Sequence, residues 1–548
     1  MHGQPCAPHL STIAARTLAP SRARSTTVSV GGKWFVRGGQ PFLARGVSYG
    51  TFGARLDGAL YPEPPELKRD LIAIHEAGFN LIRTYTPPPE DLLDAAADWD
   101  LRVFAGMHAL DWRYARGCSR RQWRRIEQDM CRQAAGVARR LRDHDTVFAL
   151  AIGNEIPADT LRWVGEARAV ATLTAMIDAV HAEDPDRLVT YGNYPTTEVL
   201  LAAPVDFVTM NIYLDDSRQL TRYLARLHDL SGDRPVLLGE IGAHVGSTPD
   251  AEDIHAAWLD TQLDAACRAA TAGTVVFTWT DDWHVGGRAV EGWRFGLTDR
   301  ERRPRAALGV ASKWNDRDVR DLVVEPPGIS VVICAHDAGA TIDECLAVTC
   351  ALDYPDLEVI VVDDGSHDRT AELAARHATR GARITTTPHR GLGAARRVGA
   401  AEARHDIVAY LDADAYPSDW WPWFLALAFA DHDVVGGPNP ADASEWKSRS
   451  GFVLATIGSV GSVRGLGHAR PSPRPRTPPA QRSVDRASTH PPSRRTRAHR
   501  HRRDGLPAGR MTTAARRSAP PPSSAFLRSR PFILDARTRG PRGQRQPR

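Results

Sequence analysis

The chain has 548 residues, 42% of them hydrophobic and 25% charged. That length allows about three or four domains of ~150 residues, or fewer if one is a large barrel. Seven cysteines with no Cys-x-x-Cys pair exclude a disulfide framework and a zinc ribbon, and no apolar run reaches the ~18 residues of a spanning helix.

The net charge of +5 is unevenly spread. Residues 461–548 hold 22 Arg, 3 Asp and neither Lys nor Glu, a formal charge of +19, so the preceding 460 residues carry −14. The part able to fold is acidic, and a nucleic-acid partner is not expected.

In chain order, residues 1–27 read as a disordered polar leader. Arg16, Arg22 and Arg24 follow no apolar core there, so no secretory signal is expected. Val28–Val36 with Gly38 and Gly39 reads as a hairpin. Eight β-rich runs follow: Phe42–Ser48, Phe79–Thr84, Arg102–Met107, Val147–Gly153, Leu188–Gly192, Phe207–Asn211, Val236–Gly239 and Thr274–Thr278. Helical patterns over Pro65–Ala77, Arg121–Arg142 and Ala167–Glu183 lie between several of them. Strands alternating with helices over about 250 residues predict a (β/α)8 barrel across residues 28–316.

In such barrels the chemistry lies at the C-terminal strand ends. Glu155 follows the fourth run and Glu240 the seventh, which puts two carboxylates on one rim. Glycosidic bond cleavage needs such a pair, one carboxyl protonated for the leaving oxygen and the other ionised to attack or to activate water.

Ile152-Gly-Asn-Glu-Ile-Pro157 and Leu238-Gly-Glu-Ile-Gly242 resemble the acid/base and nucleophile strands of retaining glycosidases of the large (β/α)8 clan. That clan contains the family 2 β-glycosidases, the family 5 cellulases and the cell-wall β-1,3-glucanosyltransferases. The resemblance implies Glu155 as acid/base and Glu240 as nucleophile. It also implies Arg83 supporting the nucleophile, Asn154 on the sugar 2-hydroxyl, Tyr213 hydrogen-bonded to the nucleophile, and Trp279 under the sugar. His108 is a weaker match, and Asp281, Asp282, Trp283 and His284 are either groove lining or a polar loop. No cofactor is implied for the barrel, and the substrate would be an oligo- or polysaccharide, hydrolysed or transglycosylated.

Residues 317–328 read as a linker carrying Glu325-Pro-Pro-Gly328. Beyond it, Ile329–Cys334, Leu357–Asp363 and Ile407–Asp412 read as strands of a βαβ sheet ending in acids, where open α/β sheets bind ligands. Val362-Asp-Asp-Gly-Ser366, His389-Arg-Gly-Leu-Gly-Ala-Ala-Arg396 and Leu411-Asp-Ala-Asp414 resemble a family 2 glycosyltransferase of the nucleotide-diphosphosugar (GT-A, Rossmann-like) fold. The resemblance implies that Asp363 and Asp364 contact the nucleoside, and that Asp412 and Asp414 hold a divalent cation, Mg or Mn, with a nucleotide-sugar diphosphate. Ala335-His-Asp337 departs from the aromatic-Asn usual in that family. A catalytic base and Gln-x-x-Arg-Trp are not found after the metal motif, so the domain over 329–445 is expected to be incomplete and of doubtful transferase activity.

Residues 446–548 are expected to be a disordered basic tail. With 66 Arg and only 4 Lys in the chain, it reads as a frameshifted stretch of a GC-rich coding sequence. The leading reading is therefore a two-module carbohydrate enzyme. The alternatives are a polysaccharide-making transferase with an accessory barrel and a non-catalytic carbohydrate binder. Localisation is expected to be cytoplasmic or membrane-associated.

Overall fold

A computed structural model of the chain describes residues 27–107, 112–115, 117–430, 432, 434–437 and 460–464. His108, the leader up to residue 26 and most of the basic tail lie outside the described residues.

Strands β1 (Val28–Gly31), β2 (Trp34–Arg37) and β3 (Gln40–Phe42) form a small antiparallel sheet. A closed barrel of eight parallel strands follows: β4 (Ala44–Ser48), β5 (Leu81–Arg83), β6 (Arg102–Gly106), β7 (Val147–Asn154), β8 (Leu188–Asn193), β9 (Val208–Asn211), β10 (Val236–Ile241) and β11 (Gly273–Val276). All eight expected runs supply a barrel strand. Phe42 is the exception within its run, because it pairs with Phe35 in the small sheet.

The surrounding helices are α1 (Pro64–Glu76), α2 (Glu90–Asp98), α3 (Arg120–Leu141), α4 (Ala158–Val164), α5 (Glu166–Glu183), α6 (Ser217–Ser231), α7 (Ala251–Arg268) and α8 (Ala306–Asn315). Local chemistry fixes their starts. Ser119 and Gln122 form a reciprocal capping box on α3, and Asp216 caps α6. A two-stranded ribbon, β12 (His284–Val285) with β13 (Arg288–Ala289), decorates the loop after β11.

The barrel is closed at its N-terminal end by phenylalanines. Phe35 reaches in from β2 and meets Phe148 and Phe207 edge-on, with centroids 4.9 and 5.1 Å away. Phe104, Leu81, Leu237 and Val275 complete this buried plug. With one end sealed by apolar rings, polar side chains are left for the other end.

A second sheet begins after a single 3-10 turn, Val319–Leu322, capped by Asp318. Its order is β16 (Ala382–Thr386), β15 (Leu357–Asp363), β14 (Ile329–Ala335), β17 (Ile407–Asp412), β19 (Val460–Arg464), β18 (Val434–Gly437). The first four strands are parallel and β19 runs antiparallel to both its neighbours. Helices α9 (Ile342–Thr349), α10 (Thr370–Ala375), α11 (Leu392–Glu402) and α12 (Trp421–Phe429) belong to this domain. Of residues 446–548, expected to be a disordered tail, only 460–464 are among the described residues. They fill the backbone hydrogen-bonding edge that β17 offers, which a polar composition does not forbid.

The two domains touch through aromatics. Trp34 meets Trp420 edge-on at 4.7 Å and stacks on Phe424 at 5.6 Å. Among the described residues no helix is long and apolar enough to cross a membrane.

Candidate functional site

The open end of the barrel gathers Arg83, Asn154, Glu155, Asn211, Tyr213 and Glu240. Arg83, 1% exposed, is the hub. Its Nη1 donates to Gly239 O at 2.6 Å and to Asn211 Oδ1 at 2.9 Å, and lies 3.3 Å from Glu240 Oε1. Its Nη2 donates to Asn154 Oδ1 at 2.8 Å. Glycine makes the room: a Cβ on Gly239 would lie 2.8 Å from Nη1, and one on Gly192 would lie 2.9 Å from Nη2.

Glu240, at the end of β10, is 6% exposed. Oε1 accepts from the Tyr85 hydroxyl at 2.8 Å and Oε2 from the Tyr213 hydroxyl at 2.7 Å. Ser48 Oγ lies 3.0 Å from Tyr85 Oη and donates to it, since the tyrosine proton is already directed at Glu240. Burial, with the Glu240 charge, holds both tyrosines well above their ordinary pKa, so both stay protonated donors. Three donors, Tyr85, Tyr213 and Arg83, thus surround the one carboxylate.

Glu155 follows β7 with φ +46°, a left-handed backbone that costs a non-glycine residue about 1–3 kcal/mol. Its turn is pinned from two sides: the Glu155 N–H donates to Gly192 O at 2.8 Å, and Tyr194 Oη accepts from Ala158 N at 2.9 Å. Asn211 Nδ2 donates to Glu155 Oε1 at 2.9 Å. Burial first, and the Glu240 charge second, push the Glu155 carboxyl up to about 7, with Asn211 and Arg83 opposing. The two carboxyls are thus unlike: one is kept protonated near neutrality and the other is saturated with donors.

The structure brings Arg83, Asn154, Glu155, Tyr213 and Glu240 together. It moves Trp279 elsewhere. Trp279 is 2% exposed, packs in the layer between strands and helices, and donates its indole N–H to Asp70 of α1 at 3.3 Å. The expected sugar platform is therefore corrected: Trp279 faces outward from the barrel. Phe277, two residues earlier, meets Tyr85 and Tyr213, at 6.4 and 6.2 Å. Alternation along an extended chain explains the error, since residues two apart share a face only while the strand stays regular, and β11 ends at Val276.

The loop after β11 divides. Trp283 joins an aromatic wall, 5.0 Å from Phe277 and stacked on Trp293 at 5.9 Å, with Phe295 5.7 Å from Phe277. Asp281 is 4% exposed and paired with Arg305, so its task is structural. Asp282 and His284 stay half-buried, their Oδ1 and Nδ1 3.6 Å apart. Sequence reasoning missed Tyr85, Asn211, Phe277, Trp293 and Phe295. Tyr85 and Asn211 stand in Leu81-Ile-Arg-Thr-Tyr85 and Met210-Asn-Ile-Tyr213, beside the expected Arg83 and Tyr213, so a signal existed for both.

The second domain carries its acids at the C-terminal strand ends. Asp363 ends β15, is 1% exposed, and accepts from Ser366 N at 3.1 Å. Asp364 is 3% exposed and accepts from Arg390 N at 2.9 Å and Gly391 N at 2.8 Å. Through these backbone contacts the two carboxylates hold the turn and the loop before α11. Asp412 ends β17, with Oδ1 3.6 Å from Arg396 Nη2. Asp414 stands two residues on, past the end of β17. Ala415 N donates to Asp412 O at 3.0 Å, so exposed Asp414 lies in a turn.

Residues 330–454 match the family model for glycosyl transferase family 2. The second domain is a glycosyltransferase family 2 domain, fused to an eight-stranded parallel barrel. The uncharacterized glycosyltransferase EpsJ of Bacillus subtilis is 33% identical over 94 residues, 17% of this chain and 27% of that protein. The poly-beta-1,6-N-acetyl-D-glucosamine synthase of Staphylococcus epidermidis is 28% identical over 113 residues, 20% of this chain and 27% of that protein. The chain spans 26% to 43% of the length of such curated relatives. Among solved structures the chain is similar to Bifidobacterium dentium beta-glucuronidase, at 20% identity and a TM-score of 0.45 over 53% of this chain and 48% of that one.

Proposed function

We propose that the barrel is a retaining glycosidase or transglycosylase acting on a β-linked glycan, and that the family 2 domain binds a nucleotide-sugar. The observation that carries the barrel reading is the unlike pair, Glu155 raised to about 7 beside Glu240 with its Arg83, Tyr85 and Tyr213 partners.

In this mechanism Glu240 attacks the anomeric carbon while Glu155 gives its proton to the leaving oxygen. The Glu240–carbon bond forms as the glycosidic C–O bond breaks. Glu155, now ionised, removes a proton from the incoming hydroxyl, whose oxygen displaces Glu240. Water gives hydrolysis, and a sugar hydroxyl gives transglycosylation. As negative charge leaves Glu240, the two tyrosine donors and Arg83 are released from it and recover it at the end of the cycle. The exposed Asn154 side chain stands at the rim, with its Oδ1 anchored, where a sugar hydroxyl next to the anomeric carbon would lie. Phe277 and Trp283 offer apolar faces beside Tyr85.

In the transferase domain, Asp412 and Asp414 would hold the divalent cation. Their donor set fits a hard cation: two carboxylates at a strand end, one half-buried and one exposed. Such a cation supplies charge neutralisation at a diphosphate. The match to the family 2 model supports this nucleotide-sugar reading of the second domain.

Product sizing tests the barrel reading. Protein and its Glu240→Ala variant are incubated with β-1,3-, β-1,4- and β-1,6-linked oligosaccharides, N-acetylglucosamine oligomers among them. Shortened or rearranged chains absent from the variant support it. Equal products from both proteins contradict it.

A further inference from the structure

The transferase domain carries a second cluster of metal-ligand types, away from Asp412 and Asp414 in chemistry. His336 and Asp337 follow β14 and His367 follows β15, so all three stand at the C-terminal edge of the sheet. One ligand atom of each lies within 4.8 Å of the other two. Asp337 Oδ2 is 3.7 Å from His336 Nε2 and 3.7 Å from His367 Nδ1. Donors bound to one tetrahedral Zn²⁺ at ~2.0–2.1 Å are about 3.4 Å apart, so the two aspartate–imidazole edges need to shorten by only a few tenths of an ångström, with the imidazole–imidazole edge within 4.8 Å.

The surroundings preset the ligands. His336 Nδ1 lies 2.9 Å from the Asp364 carbonyl, which can only accept, so Nδ1 carries the proton and the Nε2 lone pair faces Asp337. The ring plane is held by stacking on His389, with centroids 4.0 Å apart. Asp337 has φ +50° and is tied at both ends: its N–H donates to Ser366 Oγ at 3.0 Å, and its Oδ1 accepts from His367 N at 2.7 Å. That leaves Oδ2 as the oxygen turned toward the two imidazoles. A ligating histidine whose other nitrogen donates to a carbonyl is the usual arrangement at metal centres.

We infer that His336, Asp337 and His367 form a binding site for a borderline-soft divalent cation of the Zn²⁺ class, with water completing a tetrahedron. Two imidazoles and one carboxylate select zinc, cobalt or nickel over magnesium, which prefers oxygen throughout. The ion would clamp the loop after β14 to the loop after β15, beside the Asp363–Ser366 turn. The inference rests on these three side chains and stands whether or not the domain transfers sugar.

Cobalt serves as the probe, because tetrahedral Co²⁺ absorbs visibly and Zn²⁺ displaces it. The full-length protein is titrated with CoCl₂ alongside two double variants, His336→Ala with His367→Ala, and Asp412→Asn with Asp414→Asn. The expected result is a visible band of one equivalent, bleached by Zn²⁺, present in the aspartate variant and lost from the histidine variant. His367→Ala alone, at a side chain 83% exposed, leaves the fold undisturbed and is expected to weaken Co²⁺ binding by about tenfold or more. Absence of the band in the unaltered protein, an undiminished band in both histidine variants, or loss confined to the aspartate variant would overturn the site.

Discussion

Asn211 donates its amide to Glu155 Oε1 at 2.9 Å while its carbonyl oxygen accepts from Arg83, whose guanidinium also lies 3.3 Å from Glu240. One side chain therefore couples the two carboxyls. It orients Glu155, and its donated hydrogen bond favours the ionised carboxylate, but burial and the Glu240 charge outweigh it and keep the Glu155 carboxyl up at about 7.

This division predicts the pH profile. Glu155 must be protonated for the first step, so turnover should fall as pH rises through about 7. Glu155→Gln should lower turnover of substrates with poor leaving groups by about 10²–10⁴-fold. Rates on oligosaccharides from pH 4 to 9 check both.

The same shift sets a stability trend. The Glu155 carboxyl titrates higher in the folded chain than the ordinary 4.5, so the fold holds a proton that the unfolded chain has lost. Below pH 4.5 both states are protonated and nothing is lost. Between 4.5 and about 7 stability falls with rising pH, and it then levels off. Glu155→Gln should therefore be more stable than the parent at pH 8, by roughly 1–3 kcal/mol, and no more stable at pH 4. Thermal unfolding at the two pH values reads the difference.

Arg83→Met removes a buried hub. Gly239 O, Asn211 Oδ1, Asn154 Oδ1 and Glu240 would each lose a donor. A loss of about 3–5 kcal/mol in stability is expected. Folded material should have a kcat at least tenfold lower, measured below the unfolding transition.

Phe277 and Trp279 separate by assay. Trp279→Phe deprives buried Asp70 of a donor and leaves a gap, so it should cost about 1–3 kcal/mol with KM unchanged. Phe277→Leu should raise KM by about two- to tenfold with a small change in Tm, because an aromatic contact is worth ~0.5–1.5 kcal/mol. Steady-state kinetics with melting curves distinguish the two.

The barrel was legible because each strand is a short apolar run and its end carries a polar residue, as Ile152-Gly-Asn-Glu shows. The acids were legible for the same reason. Tyr85 and Asn211 were harder, since a tyrosine two residues past β5 or an asparagine ending β9 gains its meaning only when closure brings it to Glu240 or Glu155. Trp279 misled because residue type alone does not say which side of a strand end a ring takes. Asp363 and Asp364 look like ligand groups in sequence, yet the loop His389–Gly391, distant in the chain, takes up Asp364.

The most direct test of the central claim is the anomeric configuration of the first product, followed by proton NMR on the β-linked oligosaccharide that the protein cleaves, with Glu240→Ala in parallel. The account predicts a β product at early times and none from the variant. An α product, or equal turnover by the variant, would contradict it.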